Sequence, residues 1–415
     1  MKLKEFFSYL LAGLLPSVLI SFALNSIVFG LLSALAFFLI KTNYPDYFKK
    51  RYLLFSTFII SIVIGLLLDL LHNNGFEFRQ ITKRLAFILI PVIIIYSNKE
   101  QQIFALKIKV YFMSILSSAL LLVGIFRSWL NRGQISYGNW DSATTEQFYA
   151  ENMLLNWGEL SYKRIFLFLD LHPSYYAFFS VVTIMIILFT PHIKLAKKQR
   201  FGLLLLHSLF IILISAKAGI ASLLILMCIE FFRLKNPRKI LLGILTISSI
   251  IILSISIPST QLRLKQLFDS VILQDQTISR SSTTERLLIW NSLNEFNLKE
   301  LTIGTGIKTS EIKVNLITGL DKNMHNQFLQ SLISSGLLGL FLLITFLLLP
   351  LNYSTNIFTY SFISLLFLNL GLENMLDRIW GIMLISFFYG LFIFGDKTLF
   401  TEKSVNLPHV SKGSN

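Results

Sequence analysis

The chain has 415 residues, of which 54% are apolar and only 14% charged. A soluble fold of this size cannot hide that much apolar surface in one core, so the bilayer must be part of the solvent. The net charge of +15 first suggests nucleic acid, and the single cysteine, Cys228, excludes an intrachain disulfide.

A helix needs about 20 residues to cross the hydrocarbon core. Apolar runs near 6–24, 26–40, 52–71, 85–97, 110–126 and 170–190 predict the first six spans. Runs near 201–215, 218–232, 240–258, 327–349, 356–371 and 379–395 predict six more. The expected fold is all-α: a polytopic transmembrane helical bundle of about twelve spans, one membrane domain over 1–415. Lys2 and Lys4 precede the first run, but further spans follow, so it reads as a retained helix rather than a cleaved signal. The first two spans, and the seventh and eighth, read as tight hairpins. The fourth is short enough to be re-entrant.

With the N-terminus inside, alternation places the N-terminus, 41–51, 97–109, 191–200, 230–239, 350–355 and the C-terminal tail on one side. These segments hold 20 Lys and Arg against 6 Asp and Glu, a net of +14, and everything else sums to +1. That asymmetry is the positive-inside signature and removes the nucleic-acid reading. Both termini are expected to be cytoplasmic, and two long polar segments, 127–165 and 259–325, are expected outside. The second is too long for a plain connection. Ser282-Thr283-Thr284-Glu285 has capping-box spacing, and Leu287, Ile289, Trp290, Leu293 and Phe296 follow at helical spacing. An ordered helix is therefore expected within that loop.

The ionisable residues at outer helix ends are the candidates for chemistry. Asp170 and His172-Pro173-Ser174-Tyr175 lie at the start of the sixth span, where Pro173 fits a helix start or a kink. Lys217, in Ser215-Ala216-Lys217-Ala218-Gly219, is either a snorkelling interfacial lysine or a phosphate-contacting cation. Arg286 opens the loop helix with Trp290 one turn on. Its fork suits a diphosphate, the alternative being a surface pair with Glu285 or Glu295. Arg280 and Arg263 are weaker candidates for the same role. Gly304-Thr305-Gly306 marks a tight turn or a close backbone approach. His325-Asn326 sits where the loop enters the tenth span, as a general base or a helix cap. Glu373, Asp377 and Arg378 flank the last outer turn, as site residues or as an interfacial ion pair. Asp69 is the other near-buried acid. No HExxH, GxSxG, Walker or DxD-like motif is present on this side, so no metal and no cofactor is expected. Cations and histidines gathered on one face suggest an anionic, lipid-borne substrate.

In this order the motifs resemble the O-antigen ligase family, which also includes O-antigen polymerases and some protein O-oligosaccharyltransferases. The matching pieces are His172-Pro173-Ser174-Tyr175, Ile214-Ser215-Ala216-Lys217-Ala218-Gly219, Thr284-Glu285-Arg286 with Trp290, and Gly304-Thr305-Gly306. His325-Asn326-Gln327-Phe328 follows with Gly336 and Gly339, then Glu373-Asn374-Met375-Leu376 with Gly381. They span about half the chain, and each is weak without the others.

The resemblance implies a membrane fold like that of the C-type glycosyltransferases, in the bacterial inner membrane, with part of the active site in 259–325. It implies transfer of a glycan from undecaprenyl diphosphate to an acceptor hydroxyl on the periplasmic face, with inversion and without metal. For a ligase the acceptor is lipid A–core; a repeat-unit polymerase shares the donor and remains the alternative. His325 would take the acceptor proton, and Arg286 and Lys217 would bind the diphosphate. His172, Tyr175, Arg280, Trp290, Asn326, Glu373 and Arg378 would surround the substrates. The expected partners are this donor, the acceptor and membrane lipids, with no nucleic acid. The family usually has arginine where this chain has Lys217. Lysine keeps the charge and loses the bidentate fork, so it acts as a point charge or Arg280 or Arg378 shares the task. A lipid-glycan transporter would need inverted repeats and midplane charges, and the sequence has no repeat.

Overall fold

The computed structural model describes residues 3–39, 51, 57–72, 74–75, 77–132, 155–160, 162–166, 169, 171–233, 237–258, 260–261, 264, 268 and 282–400. The expectations for Asp170, Arg263 and Arg280, for most of 41–51, 133–154 and 265–281, and for the tail after 400 fall outside these residues.

The described elements are helical, and no strand occurs among them. Each of the twelve predicted runs falls on a helix. These are α1 (Leu3–Ile20), α2 (Phe22–Leu39), α3 (Thr57–Leu71), then the short α4 (Phe78–Thr82), α5 (Ala86–Tyr96) and α6 (Lys99–Leu130). After them come α7 (Pro173–Phe189), α8 (Lys197–Leu213), α9 (Lys217–Phe232) and α10 (Pro237–Ser256). Beyond α10 lie α11 (Ser282–Asn291), α12 (Leu298–Ile303) and α13 (Ile307–Thr318), followed by α14 (Gln327–Leu348), α15 (Ile357–Leu372) and α16 (Ile379–Phe394). Among the described residues, three helices are long and apolar enough to cross a membrane: α1, α6, and α14 with its continuation to Asn352. The other apolar helices are shorter.

Several helix starts follow from local chemistry. Asn98 and Gln101 form a capping box that opens α6 at Lys99. The predicted fifth span at 110–126 therefore begins a full turn or more earlier, and Lys109 is not in a basic loop. It is buried, with Nζ 2.8 Å from Thr183 Oγ1 and 3.2 Å from the Phe179 carbonyl on α7. Pro173 opens α7, and Asn326 caps α14 by accepting from the amides of Phe328 and Leu329.

Helices α7 and α16 are buried along almost their whole length and form the centre of the bundle. Large apolar side chains on the outer helices, such as Phe38, Leu71, Ile115, Leu122 and Phe232, face away from the protein. In water they would make an apolar surface far larger than a soluble monomer carries. In lipid that surface is satisfied, and the helices are held by close packing and polar contacts. Gly219 lies where a methyl group would meet the Ala177 Cβ at 2.4 Å, and Asn369 donates to Ser222 at 2.8 Å.

Contacts between helix ends divide the bundle into two ends. At one, Gln101 reaches Ser8, Gln102 accepts from the Asp396 amide, and His192 meets the Thr398 carbonyl. At the other, Asp69 meets 307–309, Arg84 meets Asp377, and Ser215 meets Thr260. Alternation of the predicted spans puts these connections in the same two groups, and the charge count makes the first of them the basic one.

Residues 282–318 cap the second end as helices rather than as an open loop. They close a small core of Ile289, Phe296, Val314, Met324 and Ile333. The helix expected to run to Phe296 ends at Asn291 in a 3₁₀ turn, though Ile289 and Phe296 still point inward. Gly304-Thr305-Gly306 makes the close approach its sequence suggested. α14 breaks its helical geometry at Gly336 (φ 70°, ψ −168°), which frees carbonyls one turn earlier. The amides of Thr305 and Gly306 donate to those of Ile333 and Ser334 at 2.8 and 2.9 Å. Asp69 then caps α13, accepting from the amides of Ile307, Lys308 and Thr309 at 3.0 Å each.

Candidate active site

His325 lies on the last residues before α14, with a left-handed φ of 48°. That conformation costs a non-glycine residue roughly 1–2 kcal/mol, so its neighbours must hold it. The Asn323 side chain accepts from the His325 amide at 3.2 Å. Trp290 Nε1 donates to the Met324 carbonyl at 2.8 Å, and Asn326 fixes the first turn that follows. Trp290 and Asn326 thus support His325 and are not among the residues lining the cavity described below.

Glu373 follows the last turn of α15, and its carboxylate joins two candidates that are far apart in sequence. Oε1 accepts from Arg286 Nη2 at 2.5 Å, and Oε2 meets His325 Nδ1 at 3.3 Å. Ser174 Oγ donates to Oε1 at 3.3 Å. Burial alone would raise the Glu373 carboxyl. The His325 hydrogen bond, the Arg286 charge and the nearby His172 outweigh it, and the net shift is downward. With Nδ1–H turned to the carboxylate, the other ring nitrogen of His325 is left to accept a proton. Arg286 therefore pairs with Glu373, not with Glu285 or Glu295, and Glu285 pairs with Lys322 instead. Asp377 pairs with Arg84 rather than with Arg378.

A cavity of about 500 Å³ opens beside this triad. Of the residues singled out by sequence, His172, Arg286, His325, Asp377 and Arg378 line it. Lys217 does not. Its Nζ donates to Thr283 Oγ1 at 2.6 Å, tying the end of α8–α9 to the first turn of the helix that carries Arg286. Tyr175 is buried against Trp380, and its hydroxyl donates to the Asn374 carbonyl at 3.3 Å. It braces the Glu373 turn from behind.

Sequence reading missed one wall. Gln80, Lys83 and Arg84, from the connection around α4, line the cavity, as do Glu311 and Asn315 of α13. Lys83 is held below the usual lysine range by burial, reinforced by the charges of Arg84 and Arg79. Burial pushes the Glu311 carboxyl up to about 7, helped by Asp377 and Glu77. In sequence these residues carry only a loop's ordinary charge. A signal was present in Lys83-Arg84, two cations outside a membrane face whose net charge is close to zero.

Residues 202–344, about a third of the chain, match the family described as O-Antigen ligase. Over that stretch the chain is similar to the O-antigen ligase family. The matched region runs from α8 to α14 and contains Lys217, Arg286 and His325, so the resemblance carried by the motifs is borne out over that stretch. His172, Glu373 and the wall around α4 lie outside it. No curated protein matches the chain. Together with the apolar helices, the O-antigen ligase match supports a membrane protein similar to the ligases and polymerases of that family. Similarity to that family supports an enzyme of the glycosyltransferase kind, and it implies a lipid-linked glycan and a lipid acceptor as partners in general terms.

Proposed function

We propose that the protein transfers a glycan from undecaprenyl diphosphate to a hydroxyl of lipid A–core on the periplasmic face of the bacterial inner membrane. In this reading the twelve apolar helices are twelve spans, both termini are cytoplasmic, and the end capped by 282–318 is periplasmic. The observation that carries it is Glu373 bridging His325 and Arg286 beside a polar cavity.

The sugar–phosphate bond of the donor is already activated. The enzyme must aim a hydroxyl at the anomeric carbon and stabilise charge on the departing diphosphate. The acceptor oxygen forms the new bond as the carbon–phosphate oxygen bond breaks, and His325 takes the hydroxyl proton. Glu373 orients the imidazole and stabilises its protonated form. Arg286 and Arg378 meet the developing charge, with Lys217 and the first-turn amides of α11 adding to the local positive potential. A single displacement of this kind inverts the anomeric centre and assigns no step to a metal. The carrier's acyl chain lies between helices, outside the polar cavity.

The test is purified protein with a glycan-bearing undecaprenyl diphosphate and lipid A–core. His325→Ala should lower transfer on the order of 10²-fold or more, the usual contribution of a general base. Transfer at the wild-type rate would remove His325 from the chemistry. Arg286→Lys should weaken use of the donor more than use of the acceptor, because the bidentate fork is lost. Lengthened carrier-linked glycan without added core would assign the acceptor to a second lipid-linked repeat instead.

A further inference from the structure

Much of the cavity plays no part in the transfer chemistry just described. Only three of its 23 lining residues, Phe58, Ile62 and Ile307, are apolar, which favours a ligand rich in polar groups over the acyl chain of a lipid. Its volume, about 500 Å³, is within the roughly 300–1,000 Å³ of small-molecule sites. Its charges are mixed. Lys83, Arg84 and Arg378 stand against Glu311, Asp321 and Asp377, so the wall away from Arg286 does not present the single positive sign that a polyanion selects. Donors and acceptors interleaved in this way match neutral hydroxyls, each of which both donates and accepts.

The geometry of α13 makes Glu311 the centre of this wall. Ile307, Glu311 and Asn315 are four residues apart and share one helix face, which the Asp69 cap holds in place. Among the described residues Glu311 makes no hydrogen bond and no ion pair, although it is half-buried and lines the cavity. Gln330 lines the same cavity; it donates to Oγ of Ser310, the residue before Glu311, at 3.4 Å and accepts from Asn374 at 3.5 Å, both near the limit of hydrogen bonding. These are groups poised to exchange weak bonds for stronger ones. A carboxyl raised to about 7 is partly protonated at neutral pH, so Glu311 can also donate to a sugar oxygen.

The geometry points to Glu311, with Asn315 and Gln330, as the subsite that holds the hydroxyls of the transferred glycan and sets which glycan is accepted. This rests on the glycosyl-transfer reading above, which places a carrier-linked sugar beside His325. The carrier diphosphate is held by the Arg286 side, and the glycan by the α13 and α14 side.

Two probes separate the assignments: undecaprenyl diphosphate without sugar, and the same carrier bearing a glycan, each bound to full-length protein in lipid nanodiscs. Wild type should bind the glycan-bearing carrier more tightly than the bare one. Glu311→Gln and Gln330→Ala should each weaken the glycan-bearing carrier about 10-fold or more, the loss expected for a hydrogen bond to an ionisable or buried group. Both should leave the bare carrier unchanged, and that unchanged binding also shows that the variants fold. If the variants bind both probes as wild type does, or weaken both equally, Glu311 is no glycan subsite and the assignment is overturned. If wild type binds neither probe, the transfer reading itself falls and the subsite falls with it.

Discussion

Glu373 shows how one residue changes the meaning of others. In sequence it lies 87 positions from Arg286 and 48 from His325, and its neighbour Arg378 looks like its natural partner. The fold instead gives Asp377 to Arg84 and turns Glu373 toward the cation and the imidazole. Its carboxyl is shifted down despite burial, so its ionised form is favoured by folding. A depressed carboxyl adds stability that is complete above the ordinary glutamate range near 4.3 and is lost as pH falls through the lower folded value. Glu373→Gln should therefore lower the melting temperature most at neutral pH, with the gap to wild type closing in strong acid. A gap that is constant with pH would show that the charge is not what matters. The same variant should lower kcat at neutral pH by at least 10-fold, because the imidazolium formed during transfer loses its counter-charge. The candidates Lys217, Arg286 and His325 were legible because positive charge or imidazole at an apolar helix end is costly without a use. Glu311 and Lys83 were not, since a charged residue in a polar segment needs no explanation until its neighbours are known.

Among the elements, α14 carries the largest departure from its sequence pattern. Its apolar run reads as one continuous span, yet Gly336 breaks it and pairs its free carbonyls with the turn at Gly304-Thr305-Gly306. A methyl group on Gly336 would lie 2.3 Å from the Thr302 carbonyl oxygen, and one on Gly304 would lie 2.7 Å from the Gly336 amide. Both contacts are with backbone, which cannot swing away. Gly336→Ala should cost about 2 kcal/mol or more from backbone strain and overpacking together. Thermal unfolding in detergent reads this directly, and a wild-type melting temperature would contradict the packing described. Activity should fall in parallel, because α12, α13 and the approach to His325 all hang from this junction. The helices themselves were legible as apolar runs of span length. Their junctions were not, because Gly, Thr and Ser at a close approach look the same in sequence as they do in a loop.

For the whole molecule, the division into two ends emerges twice from independent facts. Charge counting separates the connections into a basic set and a near-neutral set, and tertiary contacts join the members of each set to one another. This yields a direct test of sidedness. Cys228 is the single cysteine, so a Cys228→Ser chain is a clean background for introduced thiols. In intact cells with a permeable outer membrane, a membrane-impermeant maleimide should label Lys299→Cys in α12 and leave Lys198→Cys in α8 unlabelled. Labelling only at position 198 would invert the molecule and remove the periplasmic reading.

The membrane character, the helical class and the sites of the main cations were determined by sequence, because each follows from local quantities: apolar length, charge per connection and residue type at a helix end. The periplasmic side proposed above rests on the same local charge. Only the tertiary structure decided which of those groups meet. The pairing of Glu373 with Arg286 and His325, the break at Gly336 and the wall made by Lys83, Arg84 and Glu311 depend on helices distant in the chain. No local pattern encodes that packing, because the energy that fixes it is shared among surfaces that exist only once the bundle has assembled.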